Sequence, residues 1–326
     1  MTDHVTVASV NFTPVWHDTE ATLAKMRADI VEAAGQGAQV VVFPEGALRG
    51  CGSCMACATE GGPCTEHLAG AETVPGPSSE AILELARRHD VYVIFGMPER
   101  DPDIAGRLYN AAAVVGPEGI LGTYRKVHLG ELPWVTEGVT YTPGSDLPLF
   151  PTRFGPIGVQ ICYDFWFNPE LTRILALKGA QLIVAPVGSF AAPGRPDSMR
   201  ATALSRAQEN LVYVVVSNSV GGPGTLSADY SGDGLTTALR PDHYVGHSMI
   251  GGPAFPRFGE IMTEAGGMEE IVLATLNLER LERFRAVFDY RAWRRGRLRG
   301  ASKLVADEFA LLAAAEAPAE QFLPSS

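Results

Sequence analysis

The stretch Gly37-Ala38-Gln39-Val40-Val41-Val42-Phe43-Pro44-Glu45-Gly46 carries the main fold signal of the chain. Its middle is an unbroken apolar run of β-branched and aromatic residues, the mark of a strand covered on both faces. Before it lies an amphipathic helical stretch. Asp18 is placed to cap it, Leu23, Met26, Ile30 and Ala34 form one stripe, and Gly35 and Gly37 end it. Preceding that, Val5-Thr6-Val7-Ala8-Ser9-Val10 reads as a strand, so the first unit is β-α-β. The same phrase returns at Gly179-Ala180-Gln181-Leu182-Ile183-Val184-Ala185-Pro186-Val187-Gly188, identical at six of ten positions and again behind an amphipathic helix. Helix-Gly-strand-Pro is a common α/β phrase. The repeat also fits two similar halves, each a sheet with helices on its outer face. Two such sheets packed together make a four-layer α-β-β-α sandwich of mixed sheets.

The rest of the pattern extends this α/β reading. A helix is predicted from Pro77 and Ser78, and strands at residues 91–95, 110–115, 120–124, 157–161, 182–184 and 211–216. Asn168-Pro169-Glu170 reads as a helix start, with Pro at the first helical position. With 326 residues and 46% hydrophobic content, the chain can bury a large core. The formal net charge of −11 argues against nucleic acid or an anionic membrane as partner. No apolar run approaches the ~20 residues that cross a bilayer. The residues Met1-Thr2-Asp3-His4 lead into a strand rather than a signal segment, which predicts a cytoplasmic protein with reduced cysteines. Composition shifts near residue 278. Residues 280–299 hold eight arginines interleaved with acidic residues and aromatics, and residues 301–318 are Ala-rich. The expected organisation is a core domain over residues 1–277 and a C-terminal arm over 278–326 that packs on a partner subunit.

Three strands end in side chains able to do chemistry. Phe43-Pro44 leads to Glu45, Thr123-Tyr124-Arg125 to Lys126, and Gln160-Ile161 to Cys162. In α/β folds the carboxyl ends of strands are where ligands bind. A thiol is a strong nucleophile once deprotonated, a carboxylate can take and return its proton, and an ammonium can stabilise an oxyanion.

Together Val42-Phe43-Pro44-Glu45, Tyr124-Arg125-Lys126-Val127-His128-Leu129 and Gly158-Val159-Gln160-Ile161-Cys162-Tyr163-Asp164 resemble the nitrilase superfamily of carbon–nitrogen hydrolases. Lys126 follows Glu45 by 81 residues and Cys162 follows Lys126 by 36. The resemblance spans residues 5–277 and takes in Arg206-Ala207-Gln208-Glu209-Asn210 and Gly246-His247-Ser248-Met249-Ile250. It implies an α-β-β-α sandwich, a homodimer or larger homo-oligomer, and a Glu-Lys-Cys triad. Glu45 is then general base and acid, Lys126 oxyanion stabiliser and Cys162 nucleophile. The Tyr163 backbone N–H shares the oxyanion, and Glu137 is the second glutamate, with Glu131 its competitor. The implied reaction is hydrolysis of a non-peptide C–N bond in a small molecule, through a thioester and without a cofactor. Cys162-Tyr163-Asp164 is similar to the amidase and carbamoylase branches, whereas true nitrilases show Cys-Trp-Glu. Nitrile hydrolysis is the alternative. The segment Phe165-Trp166-Phe167-Asn168-Pro169-Glu170 carries Asn168 beyond the family pattern.

Trp134, Tyr163, Trp166 and Phe190 are candidates to line the substrate pocket. Arg195 or Arg200 could read a substrate carboxylate, or simply be solvated. The helix after Cys162 is expected at Pro169, too far for its dipole to act on the thiolate.

Cys51, Cys54, Cys57 and Cys64 form C-x2-C-x2-C-x6-C just after Glu45. In a reducing compartment this spacing points to tetrahedral thiolate ligation of structural zinc or an iron–sulfur cluster. Free thiols and disulfides are the other readings. A non-catalytic metal- or redox-sensing protein built on this cluster is a further alternative for the whole chain. No G-x-S-x-G, P-loop or dinucleotide fingerprint occurs.

Overall fold

The computed structural model describes residues 3–50, 54–132, 135–222, 240–288 and 298–314. Along the chain the strands are β1 (His4–Asn11), β2 (Val40–Val42), β3 (Tyr92–Arg100), β4 (Leu108–Gly116), β5 (Gly119–Arg125), β6 (Glu131–Leu132), β7 (Val135–Thr136), β8 (Leu149–Thr152) and β9 (Gly155–Val159). They continue with β10 (Leu182–Val187), β11 (Phe190–Ala191), β12 (Tyr213–Asn218), β13 (Val220–Gly221), β14 (Arg240–Val245), β15 (Met249–Gly252), β16 (Glu260–Glu264) and β17 (Glu270–Asn277). The helices are α1 (Thr19–Gly35), α2 (Met55–Glu60), α3 (Thr65–Gly70), α4 (Pro77–His89), α5 (Glu137–Thr140), α6 (Tyr163–Phe167), α7 (Pro169–Lys178), α8 (Arg195–Asn210) and α9 (Leu278–Val287), with a further helix at Leu298–Ala314.

Two six-stranded mixed sheets dominate, ordered β17-β1-β2-β3-β4-β5 and β16-β15-β12-β10-β9-β8. Read from β17 and from β8, both follow one pairing scheme: antiparallel, parallel, parallel, antiparallel, antiparallel. The two sequence phrases that echo each other are β2 and β10, the third strand of each sheet in that reading. The internal repeat therefore marks two structurally matching halves.

The pleat sorts each central strand's side chains between two cores. Val5, Val7, Val40, Val42, Ile94 and Val114 face the second sheet, where they meet residues such as Val159, Val184 and Val215. The intervening Ala8, Val41, Phe43, Val93 and Val115 face helices α1 and α4, packing on Met26, Ile30, Ile82 and Ala86. That alternation is why the runs are apolar at every position: each face has its own cover. On the other side α7 packs on β9 and β10, and α8 on β12 and β15, completing four layers. Hydroxyls stitch the sheets together, Ser9 Oγ donating to the Val216 carbonyl at 2.8 Å and Ser217 Oγ to the Val10 carbonyl at 2.8 Å and the Val42 carbonyl at 3.0 Å.

The expected helix starts form. Asp18 Oδ1 accepts from Ala21 N–H at 2.9 Å to cap α1, and Pro77 opens α4. Asn168 precedes α7 without capping it; its Nδ2 instead donates to the Tyr163 carbonyl at 3.1 Å. The chain forms two compact units, Met1–Leu281 and Glu282–Ser326. Among the described residues no helix is long and apolar enough to cross a membrane.

Candidate active site

Glu45 sits on the turn that follows β2, and β3 holds that turn in place. The Gly96 N–H donates to the Pro44 carbonyl at 3.0 Å, and the Leu48 N–H to the Gly96 carbonyl at 3.0 Å. Gly96 is required by proximity: a Cβ there would lie 2.3 Å from Gly46 N, 2.5 Å from the Pro44 carbonyl oxygen and 2.7 Å from Glu45 Cα. All three are backbone atoms and cannot swing aside. Gly96→Ala is therefore expected to push the Glu45 turn outward. A misplacement on the order of 1 Å costs about 10²-fold in rate, so kcat measured beside the melting temperature should fall far more than any loss of folded protein explains.

Lys126 follows the last residue of β5, its N–H donating to the Asn110 carbonyl at 2.8 Å. Its ammonium is only 2% exposed and lies between two carboxylates. Nζ donates to Glu45 Oε1 at 2.7 Å and to Glu137 at 2.9 Å (Oε1) and 2.7 Å (Oε2). Asn110 Nδ2 bridges the same two acids, donating to Glu45 Oε1 and Glu137 Oε1 at 2.9 Å each. Glu137 Oε2 also accepts from the Gly130 N–H. Glu137 is the first residue of α5, so both acids are held at fixed backbone positions.

Cys162 arrives from the other sheet, beyond β9, its N–H donating to the Pro186 carbonyl at 3.0 Å. Its backbone has φ 43° and ψ −96°, outside the regions that L side chains ordinarily occupy. Such strain is held only by surrounding structure and is characteristic of functional positions. Here the expectation from sequence is corrected: a helix begins at once, α6, with Cys162 as its N-terminal cap and Tyr163 as its first residue. The first N–H groups of a helix have no intrahelical acceptor, which leaves the Tyr163 N–H, next in the chain to Cys162, without one. Five residues were too few for helical periodicity to be legible in the sequence. Arg206, from the quoted Arg206-Ala207-Gln208-Glu209-Asn210 segment, closes the other end, donating to the Phe165 and Trp166 carbonyls at 3.2 Å.

Asp164, fully buried, ties the Lys126 segment to the Cys162 helix. It accepts from Tyr124 Oη at 2.6 Å and from the backbone N–H groups of Val127 and His128 at 3.1 and 2.8 Å, and it pairs with His128 Nδ1 at 2.8 Å. The sequence offered Asp164 only as part of a motif, and gave Asn110 no sign beyond a polar residue in an apolar strand.

The charges act on one another. Burial pushes the Glu45 carboxyl above its ordinary pKa; Lys126 opposes that shift and Glu137 adds to it. Burial alone would pull Lys126 down, but the charges of Glu137 and Glu45 hold it well above the usual lysine range. Burial pushes the Cys162 thiol upward, Glu45 reinforces this, and Lys126 opposes it. The resting site thus carries one ammonium, two carboxyl groups bonded to it and a neutral thiol within their field.

Of the pocket candidates, Trp166 is buried edge-on against Phe165, with the Arg195 guanidinium over its ring at 5.1 Å. Tyr163 packs on Phe167, and Phe190 stacks on Tyr244 at 5.4 Å. Arg200 is committed to Glu264 and Asp197. Arg195 donates to the Ser189 and Ser198 hydroxyls, lies within electrostatic reach of Cys162, and among the described residues has no carboxylate partner. Trp134 and Cys51 lie outside the described residues, as does the side chain of Glu131. Cys54, Cys57 and Cys64 converge, joined by His67, which the sequence reading passed over although Cys64-Thr65-Glu66-His67 has a ligand-like spacing.

Residues 6–286 match the family described as carbon-nitrogen hydrolase. The chain belongs to that family. Among relatives of this carbon–nitrogen hydrolase, omega-amidase NIT2 of Danio rerio is 33% identical, the match covering 79% of this chain and 83% of that protein. A protein named nitrilase from Pyrococcus abyssi is 34% identical over 82% of this chain and 87% of its own length. In three dimensions the hydrolase resembles Saccharomyces cerevisiae Nit3, a member of branch 10 of the nitrilase superfamily, with a TM-score of 0.69 and 26% identity. That likeness covers 88% of this chain and 95% of that one. Its chemistry is accordingly hydrolysis of a carbon–nitrogen bond in a small molecule.

Proposed function

We propose that the chain is an amidase whose substrate carries a carboxylate at the end remote from the amide. The catalytic part rests on one observation: the Lys126 ammonium is held between Glu45 and Glu137, and the Cys162 thiol shares their buried field. Cys162 Sγ attacks the amide carbon as its proton passes to Glu45. The negative oxygen that forms is met by Lys126 and the Tyr163 N–H, a fixed pair of donors where charge develops. Glu45 then protonates the departing nitrogen, the C–N bond breaks, and ammonia leaves a thioester on Cys162. Water gives a proton to Glu45 and attacks the thioester; the acid is released and the thiol regains its proton. Glu137 and Asn110 keep the ammonium aimed. Cys162-Tyr163-Asp164, rather than Cys-Trp-Glu, supports an amide over a nitrile.

Arg195 supports the carboxylate. A half-buried guanidinium whose side-chain partners among the described residues are hydroxyls, beside an indole face, has donors to spare for a planar anion. The name omega-amidase on several relatives agrees with this reading. The test is ammonia release by the purified chain from monoamides of short dicarboxylic acids, neutral amides, N-carbamoyl compounds and nitriles. Acid monoamides should be turned over fastest. A charged hydrogen bond contributes about 1.5–3 kcal/mol. Arg195→Gln should therefore raise KM for the acid monoamides by roughly 10- to 100-fold and leave neutral amides nearly unchanged. Equal losses on both classes, or preferred turnover of nitriles, would sink the reading.

A pH dependence follows from the raised Glu45 carboxyl. Below its pKa Glu45 is protonated and cannot accept the thiol proton, so kcat/KM falls as pH falls, with a midpoint above the ordinary glutamate value. Because the Glu137 charge contributes to that upward shift, Glu137→Gln should move the acid limb to lower pH. A limb that stays put in the variant would remove Glu137 from the coupling.

The proposal extends to a cytoplasmic homodimer or larger homo-oligomer with residues 278–326 on a partner subunit. The exposed Leu304, Val305, Phe309 and Leu311 of the helix Leu298–Ala314 support it.

A further inference from the structure

The segment after the Glu45 turn gathers four side chains that the hydrolysis does not use. Cys54 caps α2 and Cys57 lies within it; Cys64 caps α3 and His67 lies within it. Their ligand atoms all fall within 4.8 Å of one another. Cys54 Sγ and Cys64 Sγ are 3.7 Å apart, and His67 Nδ1 is 3.3 Å from both Cys57 Sγ and Cys64 Sγ. A zinc tetrahedron with bonds of about 2.3 Å to sulfur and 2.0–2.1 Å to nitrogen has sulfur–sulfur edges of roughly 3.8 Å and sulfur–nitrogen edges of roughly 3.5 Å. The observed separations are close to those edges. They are far longer than a disulfide's ~2.05 Å. They are also too tight to enclose an iron–sulfur cube, whose ligands stand around its outside. Backbone N–H groups already face the sulfurs, Cys57 N–H toward Cys54 Sγ at 3.5 Å and Cys64 N–H toward Cys57 Sγ at 3.2 Å. Such donors favour thiolates and orient them for a cation.

We propose that Cys54, Cys57, Cys64 and His67 bind one zinc ion in a closed, structural tetrahedral site. Three thiolates and one imidazole fill all four positions, leaving none for substrate or water. The ion joins two helices of six residues each. Helices that short do not hold on their own. What they brace is the wall of the active site. α2 packs on α5, which begins at Glu137. The Thr140 side chain lies close to the Cys57 sulfur. The His67 ring meets Tyr141 edge-on at 6.0 Å. That bracing role rests on the part proposed for Glu137 above; the metal site itself does not.

The experiment is elemental analysis of the full chain, purified under reducing conditions without chelator from zinc-supplemented cells. About one zinc per chain is expected. Cobalt exchanged into the site should show the intense visible bands of a tetrahedral thiolate complex. His67→Ala and Cys64→Ala should lose most of the metal, whereas Cys51→Ser should keep it. Should the first two misfold, titration of the unmodified protein with a mercurial should release zinc in step with thiol reaction. Protein that holds no zinc and takes up no cobalt overturns the proposal. So does bound iron with sulfide, or a Cys51→Ser variant that empties while His67→Ala stays full. Zinc present without ammonia release would instead fault the catalytic assignment, and ammonia release without zinc would fault only this site.

Discussion

Cys162→Ala should leave a folded protein in which ammonia release drops by about 10⁴-fold or more, the loss seen when a covalent nucleophile is removed from a working constellation. The size follows from the proposed mechanism. Without the sulfur no thioester forms, and the remaining donors, Lys126 and the Tyr163 N–H, can only polarise a carbonyl toward water. The strained Cys162 backbone makes the folding side of the prediction favourable, since alanine has no larger Cβ substituent to place. Two measurements check it. The melting temperature should be held or raised. Mass spectrometry of the unmodified chain quenched during turnover should find an acyl adduct on Cys162 that the variant lacks. Undiminished turnover in the variant would remove Cys162 from the reaction.

Lys126→Met should damage both activity and stability. Losing one preorganised oxyanion donor costs about 10²–10³-fold in kcat. The stability cost arises because Lys126 is the only cation bonded to Glu45 among the described residues, and Glu45 is 3% exposed. Removing one partner of a buried pair costs about 3–5 kcal/mol, because the other charge is left uncompensated. The sign of its pH dependence is fixed. In the variant the folded state prefers a protonated Glu45 more strongly than the unfolded chain does. Protonation relieves the strain at low pH, and the destabilisation grows as pH rises through the carboxyl's unfolded pKa toward its folded one. Melting temperatures of variant and unmodified chain should lie closer together at about pH 5 than at about pH 8. A constant gap would mean that the acids are not charged against that lysine.

Glu45, Lys126 and Cys162 could be singled out by reading because each follows a strand inside a distinctive local phrase. Others had no such phrase. Asn110 sits within β4, where a single amide resembles any polar interruption. Gly96 matters because another strand's turn presses on it, and no local pattern encodes that approach. His67 was within reach, two residues past Cys64 plus one, but cysteine counting favoured Cys51 as the fourth ligand. Helix α6 is shorter than two turns, so no amphipathic stripe announces it.

By itself the sequence determined the layers. Runs such as Val40-Val41-Val42-Phe43 are apolar at successive positions, and a strand so written must be covered on both faces; helices on both faces would serve as well, and it is the repeat that pointed to helices outside and a second sheet inside. Its repeat at Leu182-Ile183-Val184 set the two halves alike. Only the tertiary structure decided that the acid and amine, from one sheet, meet the sulfur, from the other. Their separations of 81 and 36 residues contain no distance information. Sheet-on-sheet packing, the Asp164 tether and the Gly96 contact bring the three side chains into one buried field, in which burial raises the Glu45 carboxyl and the Cys162 thiol and the neighbouring carboxylates raise Lys126.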